Sequence, residues 1–205
     1  MHLSGKFEEA LVYAMHLHAG QLRNGSDVPC VAHLLGVAGL VLEHGGDEED
    51  AIAALLHESA EEMGGRGRLE DIRLRFGEVV AQIVEDCTDT FERTKPAWRA
   101  RKAAYIGRIP KFGSRTTLVS LADHLETART IARDLRHQGE KVWPRIEGGK
   151  DGTLWFYRCL LRASRTTSEN PMLDELSDAV KEIERLCQAS EQPTPAENAV
   201  TRRAA

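Results

Sequence analysis

Apolar residues recur at helical spacing along almost the whole of this chain, whereas the alternation that marks a half-buried strand never persists for more than a few residues. Phe7, Ala10, Leu11, Ala14 and His18 form one stripe, ending near Gly20. A turn at Asn24-Gly25-Ser26-Asp27 leads to Pro29 and an apolar segment from Val31 to Leu42, which stops at Gly45-Gly46. A third helix is expected from about Asp47 to Met63, ending at Gly64-Gly65, and Val80, Ile83, Val84 and Cys87 mark a fourth. Trp98 to Ile109 reads as a fifth, closed by Pro110. Ser114 is placed to cap a long helix carrying Leu118, Leu121, Ala122, Leu125, Ala132 and Leu135. After a glycine-containing loop at 148–152, Leu154 to Ala163 is helical, and Asn170-Pro171 opens a last helix with Leu173, Leu176, Val180 and Ile183. The expectation is an all-α fold, one helical domain over residues 1–188. The polar stretch 189–205, with two prolines and no stripe, is expected to be a disordered tail.

The 205 residues suffice for one domain with a substantial core. No run approaches the length of a membrane span and the N-terminus lacks a signal-peptide core, so no membrane partner and a cytoplasmic setting are expected. Cys30, Cys87, Cys159 and Cys187 have no C-x-x-C spacing; they read as small buried hydrophobes rather than disulfides or zinc thiolates. A net charge of −5 argues against a nucleic-acid partner. Between Arg93 and Arg115, however, eight basic residues occur with no acidic one, a local patch better suited to a small anion.

One apolar segment, AIAALLHESAEEMGG, carries His57-Glu58 and then Glu61-Glu62. Burying a carboxylate without a partner costs several kcal/mol or forces it to take up a proton, and a divalent cation removes that cost. Two further polar residues stand in apolar helical surroundings: His33 in PCVAHLLGVAGL and Asp123 in LVSLADHLETAR. Together His33, His57, Glu58 and Asp123 offer nitrogen and oxygen donors only, a set that favours Mn²⁺, Fe²⁺, Zn²⁺ or Mg²⁺. On a helix Glu61 lies one turn beyond His57 and Glu62 one turn beyond Glu58, within reach of a metal-bound water. Each feature has a plainer explanation alone: a core histidine, a solvated helix end, an Asp123–Arg129 pair. Their joint occurrence in this order makes coincidence much less probable.

H-x₂₃-H-E followed by a distant Asp in VSLADHLETAR resembles the HD-domain phosphohydrolases. More narrowly, the chain resembles the small alarmone hydrolases, single-domain relatives of the hydrolase half of RelA/SpoT proteins. The similar stretches are 18–38, 53–62, 68–90 and 118–129, within residues 5–135, and GGKDGTLWFYRCLLRA at 148–163 resembles a feature of bacterial single-domain members. The resemblance implies a single HD-domain helical bundle and a manganese-dependent enzyme that removes the 3′-pyrophosphate of guanosine tetra- or pentaphosphate. It implies metal ligands at His33, His57, Glu58 and Asp123, catalytic acids at Glu61 and Glu62, and a basic substrate contact at Arg23.

Further substrate contacts are expected from Lys95 and Lys102 in the basic run, and from Lys150 at a helix start that favours anions. GGKDGT lacks the spacing of a P-loop. Tyr157 is a candidate for the pocket wall. Four positions depart from the family pattern: Glu58 and Glu62 stand where Asp is usual, Asn24 where Lys is, and Thr127 where Asn is. Asn24 and Thr127, as substrate contacts, leave open a related nucleotide such as the adenosine alarmone (p)ppApp or NADPH. Glu58 leaves open a non-catalytic nucleotide-binding HD protein. The apolar last helix leaves open a homo-oligomer.

Overall fold

The computed structural model describes residues 2–23, 26–166 and 168–191. Its helices are α1 (Gly5–Leu17), α2 (Cys30–Glu43), α3 (Glu48–Leu56), α4 (Ser59–Glu62) and α5 (Gly65–Phe76), then α6 (Glu78–Cys87), α7 (Trp98–Arg108), α8 (Ser114–Gln138), α9 (Gly149–Arg165) and α10 (Met172–Glu191). Short 3-10 segments follow α7 (Ile109–Lys111) and α8 (Gly139–Arg145). Among the described residues there is no strand, only an isolated bridge between Leu22 and Pro29 that closes the α1–α2 loop. None of the described helices is long and apolar enough to cross a membrane.

Local chemistry fixes several helix ends. Ser4 caps α1 by accepting from Lys6 N–H. Asp47 and Asp50 form a reciprocal capping box on α3, whose first turn is wholly acidic and so complements the helix dipole. Asn170 Oδ1 accepts from Met172 N–H at 2.9 Å and starts α10. Gly148 has φ +92°, and a Cβ there would stand 2.8 Å from the Trp98 ring, so only glycine permits both the turn into α9 and this contact.

The long helix α8 organises the rest, packing against α2, α3 and α6 and, along much of its length, against α10. Leu118, Val119, Leu121, Leu125, Ala128 and Leu135 are buried along it, in one continuous core with Leu34, Leu55, Val84, Leu160 and Leu176. Full burial of each such leucine contributes about 2 kcal/mol. The all-α expectation holds.

Four local expectations are corrected. The expected helix Asp47–Met63 breaks at His57-Glu58. At the break, His57 Nδ1 donates to the Ala54 carbonyl at 2.7 Å, the acceptor that a continuing helix would use. A helix missing from the sequence reading, α5, buries only Leu69, Ile72 and Phe76 among charged residues. Ser114 is the first residue of α8 and makes no side-chain cap. Finally, α10 runs to Glu191, three residues beyond the expected boundary; the rest of the expected tail, 192–205, lies outside the described residues. Of the cysteines, Cys30 and Cys187 are buried while Cys87 and Cys159 are half-buried.

Candidate metal centre and active site

The break between α3 and α4 turns His57 and Glu58 towards α2 and α8, where His33 and Asp123 meet them. His33 Nε2 lies 3.3 Å from His57 Nε2. Asp123 Oδ1 is 3.3 Å from His33 Nε2 and 3.7 Å from His57 Nε2. Glu58 Oε1 is 3.6 Å from His33 Nε2. The His33, His57 and Glu58 ligand atoms all fall within 4.8 Å of one another.

The opposite edges of both imidazoles are committed. His33 Nδ1 donates to the Glu126 carboxylate and His57 Nδ1 to the Ala54 carbonyl. With hydrogen on Nδ1, each neutral ring presents its Nε2 lone pair to the other, and two facing lone pairs need a cation between them. Two ligands each about 2.1 Å from one ion stand about 3 Å apart at a right angle, close to the spacing observed. Outer hydrogen bonds to carboxylate and carbonyl are the usual supports of metal-bound histidine. The donor set therefore fits a divalent ion. Without one, a proton serves: burial pushes the His33 pKa down, but hydrogen bonds to Asp123 and Glu126 and the charge of Glu58 outweigh it and hold it at about 9. Burial likewise pushes Asp123 up, and His124, His33 and His57 hold it well below the usual carboxylate range.

Above this cluster opens a cavity of about 350 Å³, with Glu61 and Glu62 in its wall. Lys95 Nζ donates to both, at 2.9 and 2.6 Å. The Asp89 backbone N–H also donates to Glu61, at 3.0 Å. Arg101 lies 3.6 Å from Glu61, 3.5 Å from Asp89 and 2.9 Å from Glu147, and Lys102 reaches Asp89 at 2.7 Å. Arg23, from the loop before α2, donates to Thr127 Oγ1 at 2.9 Å and stands 3.9 Å from Glu58 and 3.6 Å from Glu126. Tyr157 is buried in the wall, its hydroxyl 3.4 Å from the His124 carbonyl.

Of the residues singled out from sequence, His33, His57, Glu58 and Asp123 thus converge. Glu61, Glu62, Lys95, Lys102, Arg23, Thr127 and Tyr157 line the cavity above them. Lys150 is not among the lining residues; it reaches Glu140 at 3.4 Å. Asn24 lies outside the described residues. Sequence reasoning missed Glu126, although it follows Asp123 by three positions on the same helix face. Arg101 was counted in the basic run without being singled out, and Asp89 and Cys30 gave no signal.

Comparison with known proteins places this arrangement. The family model described as the HD domain matches residues 10–154. Guanosine-3′,5′-bis(diphosphate) 3′-pyrophosphohydrolase MESH1 of Xenopus tropicalis is 35% identical over 128 residues, covering 61% of this chain and 69% of that protein. The human MESH1 protein is 31% identical over the same shares. The solved structure of a metazoan orthologue of SpoT that hydrolyses ppGpp superposes with a TM-score of 0.73 at 26% identity, covering 89% of this chain and 97% of that one. The matched region holds all four converging side chains, and the chain accordingly belongs to the HD-domain family.

Proposed function

We propose that the chain is a metal-dependent phosphohydrolase that cleaves the 3′-pyrophosphate from guanosine tetra- or pentaphosphate, yielding GDP or GTP and pyrophosphate. The observation that carries the reading is the facing pair of imidazole nitrogens, 3.3 Å apart and flanked by Asp123 and Glu58, beneath a cavity whose wall carries Arg23, Lys95, Arg101 and Lys102 set among carboxylates. The names and activity of the MESH1 and SpoT-like relatives support the substrate class.

In this proposal His33, His57, Glu58 and Asp123 are the ligands and Mn²⁺ is the ion. A divalent ion held there supplies Lewis acidity, polarising a phosphoryl oxygen and making water a competent nucleophile at neutral pH. No thiolate competes, because burial and then the Glu58 charge push the Cys30 thiol up to about 12. Glu61 and Glu62 flank the attacking water, and one of them accepts or steers its proton. Arg23, Lys95 and Lys102 neutralise the phosphates, and Thr127 and Tyr157 bound the nucleoside. Lys150, engaged with Glu140, stays outside the proposed site. The free thiols of Cys30, Cys87 and Cys159 fit a reducing, cytoplasmic setting.

The test is product analysis. Protein loaded with Mn²⁺ and offered guanosine tetraphosphate is expected to release GDP and pyrophosphate in equal amounts. Intact substrate at full metal occupancy contradicts the reading. Parallel assays with an adenosine alarmone and NADPH fix the base preference, since those nucleotides share the metal chemistry and differ in the group facing Thr127 and Tyr157.

A further inference from the structure

We propose that Cys30 is a positioning residue, holding the Glu58 carboxylate in the pose from which it reaches the metal. The proposal rests on the reading of Glu58 as a ligand. Cys30 is the first residue of α2, three positions before His33 and so on the same face of the helix. Its Sγ lies 3.2 Å from Glu58 Oε2, and because a carboxylate only accepts, the thiol donates. The other oxygen, Oε1, stands 3.9 Å from Arg23 Nη1 and 3.6 Å from His33 Nε2. The two oxygens thus have separate tasks: Oε2 is tied to sulfur while Oε1 faces the histidines.

A glutamate at this place needs such a tie more than an aspartate would. It has one more torsion, and its side chain is 31% exposed towards the cavity, so it is free to swing into solvent. A ligand already held in its bound pose loses less rotamer entropy when the ion arrives. The donor is itself fixed. Cys30 is 2% exposed, its backbone N–H donates to the Gln21 carbonyl at 2.9 Å, and its sulfur packs 3.7 Å from His18 Nδ1. One helix therefore supplies both a histidine ligand and the restraint on the neighbouring carboxylate.

The experiment is calorimetric titration of the metal-free protein with Mn²⁺, with no substrate present, for the natural chain, Cys30→Ala, Cys30→Ser, Glu58→Asp and the double variant. Thermal melts of the metal-free forms establish that each is folded. Cys30→Ala is expected to weaken Mn²⁺ binding by about tenfold, the size typical of losing an outer hydrogen bond to a ligand. Cys30→Ser, which keeps a donor, is expected to restore most of it. In the Glu58→Asp background the shorter side chain no longer reaches the sulfur, and Cys30→Ala is expected to change nothing. Equal losses in both backgrounds, or no rescue by serine, would overturn the proposal and leave Cys30 a packing residue. Glu58→Ala separates this failure from that of the underlying reading: unchanged Mn²⁺ affinity there removes Glu58 from the ligand set and the proposal with it, whereas a large loss beside an uncoupled Cys30 overturns the positioning role alone.

Discussion

Lys95 Nζ bridges the two carboxylates of α4, 2.9 Å from Glu61 and 2.6 Å from Glu62, so one ammonium is shared between both acids beside the metal centre. A phosphate entering the cavity competes for that same ammonium. Lys95→Ala is therefore expected to raise KM for guanosine tetraphosphate by about tenfold, the scale of one charge-assisted hydrogen bond. Mn²⁺ affinity is expected to stay unchanged, because Lys95 contacts none of the four ligands. Steady-state kinetics with a parallel metal titration checks both; an unaltered KM would remove Lys95 from substrate binding.

Glu126 holds the far edge of His33 and is itself braced by Thr130 Oγ1 at 3.0 Å. Replacing it with alanine frees the ring to rotate and to change tautomer. Glu126→Ala is expected to weaken Mn²⁺ binding by about 10–100-fold, with Glu126→Gln intermediate because it keeps an acceptor. Calorimetry reads the difference. Natural affinity in Glu126→Ala would mean that packing alone orients His33.

The core carries its own test. Leu125 is fully buried on α8, two residues beyond Asp123. Leu125→Ala is expected to lower unfolding stability by about 3 kcal/mol in urea titrations, since the surrounding helices relax only partly into the space. Leu74, 80% exposed on α5, is the control, and Leu74→Ala is expected to move stability by less than about 0.5 kcal/mol.

A pH effect follows from His44, at the C-terminal end of α2. Its Nδ1 is 2.9 Å from the Leu40 carbonyl and its Nε2 is 2.9 Å from Glu175 on α10. Partial burial lowers its pKa, but the bonds to Glu175 and Leu40 outweigh this and raise it. A raised imidazole stabilises the fold fully below its ordinary pKa and loses that contribution as pH rises through the folded value. Glu175, lowered first by the bond to His44, contributes above its ordinary pKa and loses its part as pH falls. The pair is therefore strongest between about pH 5 and 6. The Tm difference between the natural chain and His44→Gln is expected to be largest there and to shrink towards alkaline pH. A difference independent of pH would contradict the ionic pairing of α2 with α10.

Helix positions were legible wherever an apolar stripe met a recognisable boundary, as at the stop Gly45-Gly46 or the start Asn170-Pro171. Their failure at α5 has a physical reason: three buried residues among charges, with Leu74 pointing to solvent, blur the period. The break at His57 was illegible because the Nδ1 bond to Ala54 found there is a side-chain contact with no periodic signature. The four converging residues could be found because each is polar in apolar surroundings. Their supports could not. Cys30 on Glu58 and Lys95 on Glu61 and Glu62 are contacts whose other partner lies in the turn after α3 or in the loop before α7, where no periodicity reports direction. Lys150 was expected near phosphate from its place at the start of α9; it stands 3.4 Å from Glu140 and is not among the residues lining the cavity.

The most direct test is anomalous diffraction from crystals of the protein grown with Mn²⁺. The expected result is one strong peak bonded to His33 Nε2, His57 Nε2, a Glu58 oxygen and an Asp123 oxygen. A fully loaded crystal whose manganese lies elsewhere, with the two imidazoles still facing each other across an empty gap, would contradict the account.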